Sequence, residues 1–481
     1  MDFVSLPVEL KLSIIESLEP VPTLQFALTS REHSKLSKNR LKEHEMFAKY
    51  STITPVCNGY SIWDITKEIL QDPRKGRYVR ELNLIDDRPE QFEDMTPEDK
   101  AILKTAVEKL LPLYPDVRGF FVSEDAGLAA FEEAMNRYAS RGFEGVIVIV
   151  LLHHLPQLRA FRYTDKHGDV CMLSFMRRVA TGYQNPSLAA QMPLQHLETV
   201  GVIQTQMAES GCLLDWAVYF LCVPSLRVFA AYMMGSEPGA RFHMGEGDED
   251  EAGNEAHLRN TVGAPVSNVE ELLLHGCQFD PQSFNTLLPM IKNLKTFHYT
   301  SLGYMNLDVP YEPRKVIKAL SNHASHSLEE IQLAEFDHLL ESVNDIPFVS
   351  AREFTKLKAL RCEAKWLLPM PNDDVGDDEA LSQGFYTVEE EVEQMTDPRD
   401  NLPESLEYLY LDGDYEYEQY HQLIDIFDTT NPNTPKLTLD NTCIKYGSDT
   451  SYGGAAEPEV KFAHPHQVDS TWSNALWVRH W

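Results

Sequence analysis

Apolar residues recur along this chain in two rhythms. In the first fifty residues the spacing is helical: Leu10, Ile14, Ile15 and Leu18 repeat at helix period after Pro7, which suits a first turn because its missing N–H would have no partner there. Glu9 faces the positive end of that helix. Glu19-Pro20-Val21-Pro22 then reads as a break. Thr23 reads as the cap of a second short helix with Leu24, Ala27 and Leu28, and Ser30 as the cap of a third with Leu36, Leu41 and Phe47. Beyond residue 78 the rhythm becomes a short motif, apolar-x-x-apolar-x-apolar, which returns ten times at intervals of 25 to 49 residues.

The ten copies begin at Val79, Val117, Leu158, Leu197, Leu226, Val269, Leu294, Leu328, Leu357 and Leu406, and Leu437-Thr438-Leu439 is a truncated eleventh. Helix-like segments fall between them, at 97–111, 125–138, 169–183, 281–291, 310–323 and 416–427. One strand-helix unit cannot bury its own apolar stripe, whereas stacked units share a continuous core under a parallel sheet. The pattern therefore predicts an α/β chain: a small all-α module over 1–50, a connecting helix and linker over 51–77, a solenoid of parallel strands and helices over 78–440, and a tail or cap over 441–481.

Side chains alternate along a strand, so the residues between the buried leucines form an outward face. The candidate recognition residues are Phe121, Arg162, Tyr232, His275, His298, Gln332, Arg361, Tyr408 and Tyr410. Of thirty outward positions, taken three per copy, five are acidic and two basic, so most of the chain's acidity lies elsewhere. Two inserts carry much of it, near 235–263 (with Glu246-Gly247-Asp248-Glu249-Asp250-Glu251) and 368–400 (with Glu389-Glu390-Glu391), and both read as solvated.

Charge narrows the partners. The 42 Lys and Arg stand against 74 Asp and Glu, a formal charge of -32, and residues 1–50 are balanced, seven against seven, so the whole excess lies after residue 50. Such a chain repels phosphate backbones and anionic lipid, and neither nucleic acid nor membrane is an expected partner. The longest apolar run, 146–152, is too short to span a bilayer. The N-terminus lacks the basic region of a signal peptide. The seven cysteines are scattered without a CxxC pair, and the one Asn-x-Ser match, Asn185-Pro186-Ser187, has proline in its middle. Cytoplasm or nucleus is the expected location.

No nucleophile elbow, phosphate-binding glycine loop, HExxH or calcium-loop spacing is present, so no catalysis, cofactor or metal is expected. Asp412-Gly413-Asp414-Tyr415-Glu416 reads as a strand-to-helix turn, His153-His154 and His464-Pro465-His466 as ordinary histidines, and Trp472, Trp477 and Trp481 as a seal for the end of the array.

Leu6-Pro7-x-Glu9-Leu10, Ile14-Ile15-x-x-Leu18, Leu24-x-x-Ala27-Leu28-Thr29-Ser30-Arg31 and Leu36 together resemble an F-box. The tryptophan that many F-boxes carry after the third-helix arginine is absent from Arg31-Glu32-His33. The resemblance implies that Leu6, Pro7, Glu9, Leu10, Ile14, Leu18 and Leu28 meet the Skp adaptor of a cullin-RING ubiquitin ligase. The stretch from Trp63 to Leu84 is similar to the segment that comes after the F-box in many filamentous-fungal proteins, and the later copies, above all Val269 to Cys277, resemble leucine-rich repeats. Together these likenesses imply a non-catalytic substrate receptor, docked on Skp and cullin and holding a protein substrate on its repeat face. The alternative is a repeat scaffold with no ligase connection, its N-terminal helices a mere end cap. A cap buries its apolar helix faces, whereas a docking module leaves Pro7, Leu10 and Ile14 exposed.

Overall fold

The computed structural model describes residues 6–55, 61–85, 95–110, 112–113, 145–165, 169–204, 214–236, 264, 266–301, 312–335, 350–363, 402–412 and 436–439. The copy expected at Val117, the helices expected at 125–138 and 416–427, the acidic runs and the C-terminal tail lie outside these residues. The chain divides into two compact units, Met1–Arg162 with Pro193–Leu197, and Tyr163–Met192 with Glu198–Trp481.

In the first unit, α1 (Val8–Ser17), α2 (Pro20–Thr29) and α3 (Arg31–Phe47) precede β1 (Thr52–Ile53), α4 (Ile62–Gln71), β2 (Glu81–Leu84), α5 (Pro97–Leu110), α6 (Gly145–His153) and the start of β3 (Ala160–Asp165). Strand β1, too short to announce itself in the pattern, pairs in parallel with β2, Thr52 beside Glu81 and Ile53 beside Leu82. Ser61 and Asp64 close a reciprocal capping box at the start of α4, which buries Ile62, Trp63, Ile65 and Ile69. The apolar run 146–152 is α6, buried along its length. Among the described residues no helix is long and apolar enough to cross a membrane.

Two local expectations are corrected here. Pro7 is the N-cap residue and Val8 the first helical one. The segment that reads as a break is the first turn of α2: Glu19 is its N-cap, and Pro20 and Pro22 stand where a proline forfeits no helical hydrogen bond. Thr23 is thus inside the helix, donating from Oγ1 to the Glu19 carbonyl at 2.7 Å. Ser30 does cap α3, accepting from the His33 N–H at 3.1 Å.

A buried polar bolt fastens these helices. The His44 ring lies between Thr23 Oγ1, 2.9 Å from Nε2, and the Tyr78 hydroxyl, 2.7 Å from Nδ1. Burial, with nearby Arg40, holds its pKa below the usual histidine value and favours the neutral ring. Tyr78 belongs to a tight 3-10 turn, Lys75–Tyr78, whose Gly76 packs against the His154 carbonyl.

In the second unit, β4 (Thr199–Gln204), β5 (Val228–Tyr232), β6 (Glu271–His275), β7 (Thr296–Ser301), β8 (Glu330–Glu335), β9 (Ala359–Glu363), β10 (Tyr408–Asp412) and β11 (Lys436–Leu439) each pair in parallel with the next in sequence. Helices α7 (Val170–Gln184), α8 (Asp215–Leu221), α9 (Pro281–Leu287) and α10 (Pro313–Ala324) alternate with them. The fold is α/β, built of parallel strands taken in chain order.

Each strand from β2 to β10 begins two residues after the first apolar residue of its copy. That residue is a buried wedge, and the carbonyl after it anchors the next strand: Arg227 O accepts from the N–H groups of both Glu270 and Glu271, at 2.7 and 3.1 Å. The same double acceptance recurs at Glu270, Lys295, Glu329 and Lys358. Helix packs on the sheet through aromatic rings, where Phe284 of α9 meets Phe297 and Tyr299 of β7 edge-on, with ring centres 5.8 and 5.2 Å apart.

From β4 to β10 the residues directly after the wedges alternate in charge: Glu198, Arg227, Glu270, Lys295, Glu329, Lys358 and Glu407. Parallel pairing stacks them into a ladder, with Glu270 bridging Arg227 at 3.4 Å and Lys295 at 2.5 Å, and Lys358 reaching Glu329 at 2.9 Å. A strand slipped by one residue would part these pairs and turn its buried apolar side chains to the other face, which is unfavourable. Glu270→Lys, which puts three cations in succession, is expected to lower the urea midpoint of this unit. The loss should shrink at about 1 M salt and be partly restored by adding Lys295→Glu.

At the end of β3, Asp169 caps α7. Its Oδ1 accepts from the Cys171 and Met172 N–H groups at 3.0 and 3.1 Å, and its Oδ2 from the Tyr163 hydroxyl at 3.1 Å. Asp165 accepts from Asp169 N–H at 2.8 Å and from Trp216 Nε1 at 3.1 Å, which ties α8 to the same point. Burial pushes the Asp169 carboxyl up from 3.8 to about 6. A carboxyl whose pKa is raised by folding favours the fold when protonated, so this contribution is whole below pH 3.8 and is lost as pH rises through 6. The difference corresponds to about 3 kcal/mol at neutral pH. Asp169→Asn keeps an acceptor for the two backbone donors and removes the buried charge. It is expected to stabilise the protein at pH 7 and leave stability at pH 4 nearly unchanged, as read by urea denaturation at both values.

Candidate functional site

The N-terminal helices are assembled with their larger aliphatic side chains outside. Their buried positions are small or polar for the most part: Lys11, Ile15, Thr23, Ala27, Ser37, His44 and Phe47. Lys11 is satisfied by Glu32, 3.1 Å away. Two stripes of helical period face solvent instead. On α1 they are Leu10 (52 % exposed) and Ile14, with Val8 and Leu12 further round; on α2 they are Val21 (65 %), Leu24 and Leu28 (77 %), spaced i, i+3, i+7.

Of the residues implied by the F-box resemblance, Pro7, Glu9, Leu10, Ile14 and Leu28 are exposed, while Leu6 and Leu18 are half-buried. Val21 and Leu24 complete the α2 stripe, and the sequence pattern does not single them out as contacts. Val21 aligns with Leu24 and Leu28 only once the helix is seen to begin at Pro20.

The second surface is the sheet side opposite the buried leucine and phenylalanine positions of the strands. Register gathers part of the expected face into one lateral row: His298 stands beside Gln332, Gln332 beside Arg361, and Arg361 beside Tyr410. Tyr408 is in the neighbouring row, beside Ala359, which is beside Glu330. Tyr232 pairs with His275. Arg162, in the first unit, donates from Nη1 to Asn83 Oδ1 at 2.9 Å and is not brought into this row. Phe121 lies outside the described residues.

Exposure then separates these residues. Tyr408 and Tyr410 are 40 % and 38 % exposed, His298, Arg361 and Tyr232 are half-buried, and Arg162, His275 and Gln332 are buried despite their outward positions. Burial, with His298 alongside, presses His275 down to about 3, so its ring is neutral. Burial likewise lowers Arg162 to about 10, which leaves it cationic. His298 Nε2 is 2.9 Å from Glu330 Oε1.

Nucleophilic chemistry finds little support in the described cysteines. Cys171, Cys222, Cys277 and Cys362 are free and buried. Burial raises the first three, Cys222 and Cys277 to about 12, far from the thiolate that reacts. His153, next to His154 at the end of α6, is lowered by burial to about 4. Among the described residues no group of three or more His, Cys, Asp or Glu could hold a metal ion.

Compared with known proteins, the chain matches no family model and no curated protein.

Proposed function

We propose that this chain is a substrate receptor of a Skp-cullin-F-box ubiquitin ligase, with its three N-terminal helices as the F-box-like dock for the Skp adaptor and its later units as a leucine-rich-repeat-like platform for a protein substrate. Its contribution is proximity and not chemistry: holding a substrate near a charged conjugating enzyme makes an intermolecular encounter local.

One observation carries the reading. Of the eleven large hydrophobic side chains exposed among the described residues, eight belong to α1, α2 and α3, and two more are Tyr408 and Tyr410 of the sheet face. Exposed apolar side chains concentrated on a helical module mark a surface that is covered by a partner. A mere end cap would turn those side chains inward, which weighs against the scaffold alternative. Affinity-tagged wild-type chain is expected to co-purify with the Skp adaptor and cullin, and Leu10→Asp to lose both. Equal recovery of the adaptor with the variant would refute the docking role of α1.

A further inference from the structure

We propose that β8, β9 and β10 form a slot for a lysine or arginine side chain of a basic protein segment, floored by Ala359 and walled by Glu330 and Tyr408. This rests on reading the sheet face as the recognition surface and is independent of Skp docking.

Parallel register puts Glu330 beside Ala359 and Ala359 beside Tyr408, so the three stand in one row across the sheet. The next residues along, Ile331, Leu360 and Leu409, are buried. Adjacent strands are about 4.8 Å apart, which sets the backbones under the two walls about 10 Å apart with a single methyl group between them.

The walls have complementary chemistry. Glu330 is exposed, and its Oε1 is steadied by His298 Nε2 at 2.9 Å. Tyr408 offers an exposed aromatic ring. A cation entering between them meets a carboxylate on one side and a π face on the other, the two partners that stabilise an ammonium or guanidinium group in a partly solvated site. Arg361, two residues along β9, is engaged in an interaction of its own.

Long-range charge points the same way. The formal charge of -32 arises wholly after residue 50, so the field of the repeat region draws a cationic segment in and repels an acidic one.

The test uses the full chain and two labelled synthetic peptides, one alternating lysine with serine and the other glutamate with serine, titrated by fluorescence anisotropy at about 0.15 M salt. The lysine peptide is expected to bind and the glutamate peptide not. Tyr408→Phe, which keeps the ring, should bind like wild type, while Tyr408→Leu and Glu330→Gln each weaken binding by about three- to fivefold. Glu45→Gln on α3 makes the same change in net charge away from the face and should have little effect.

Binding that falls no further in Glu330→Gln than in Glu45→Gln, together with wild-type binding by Tyr408→Leu, would overturn the slot in favour of diffuse attraction. Binding of the glutamate peptide in preference would overturn it as well. Leu10→Asp should bind the lysine peptide normally, so a failure of Skp docking and a failure of the slot give different results.

Discussion

Leu28→Asp is expected to weaken Skp-adaptor binding by at least about a hundredfold, because a carboxylate without a counter-ion inside an apolar interface costs about 3 kcal/mol or more. The fold should tolerate the change. Leu28 is 77 % exposed and is the outermost member of the α2 stripe, so truncating it removes almost no buried surface from the free chain. The same reasoning covers Leu24→Asp. Circular dichroism and the thermal midpoint should match wild type while the adaptor is lost. A variant that unfolds would instead identify the stripe as part of a hidden core.

Gly76→Ala is expected to have the opposite character, damaging the fold and not a partner surface. A Cβ at this position would collide with the His154 carbonyl oxygen and stand 3.2 Å from its carbon, so backbone must move. The 3-10 turn cannot shift freely, since Tyr78 in the same turn is held by His44 and packs tilted on Phe47 with ring centres 5.3 Å apart. Overpacking against fixed backbone costs about 3 kcal/mol, which for a unit of this size lowers the thermal midpoint by about 10 °C. The change should appear in unfolding of the first unit followed through Trp63, which is buried in α4. A wild-type midpoint would mean that the turn and the end of α6 are not in contact in solution.

Much of the fold was legible because the repeated motif encodes a strand directly. From Val79 to Leu406 every described copy yields a strand starting two residues later, since the wedge residue and the alternating apolar positions are local properties of one segment. Less legible were features that need two segments at once. The alternation of Glu198, Arg227, Glu270, Lys295, Glu329, Lys358 and Glu407 is in plain sight along the chain, yet it is a ladder only when parallel register brings residues 25 to 49 apart into line. Strand β1, two residues long, carries no period of its own and exists by pairing with β2.

The candidate site divides in the same way. Leu10, Ile14 and Leu28 keep a helical spacing that depends on one helix alone, and the F-box resemblance is what marks them as contacts. Val21 escapes notice as a contact because Pro20-Val21-Pro22 reads as a break when proline is weighed as a breaker, whereas proline in a first turn is at home. On the sheet face the alternation names the correct side of each strand but not the exposure. His275 and Gln332 have outward register positions and are buried among their neighbours, which no period along a single strand encodes.

On the proposed function, the exposed stripes of α1 and α2 are expected to seat the Skp adaptor. Titrating purified full-length chain with purified Skp adaptor in a calorimeter, at several temperatures, tests it most directly. One-to-one binding is expected, with a negative heat-capacity change from apolar burial, abolished in Leu10→Asp and in Leu28→Asp. Absence of binding by the wild-type chain, or undiminished binding by both variants, would contradict it.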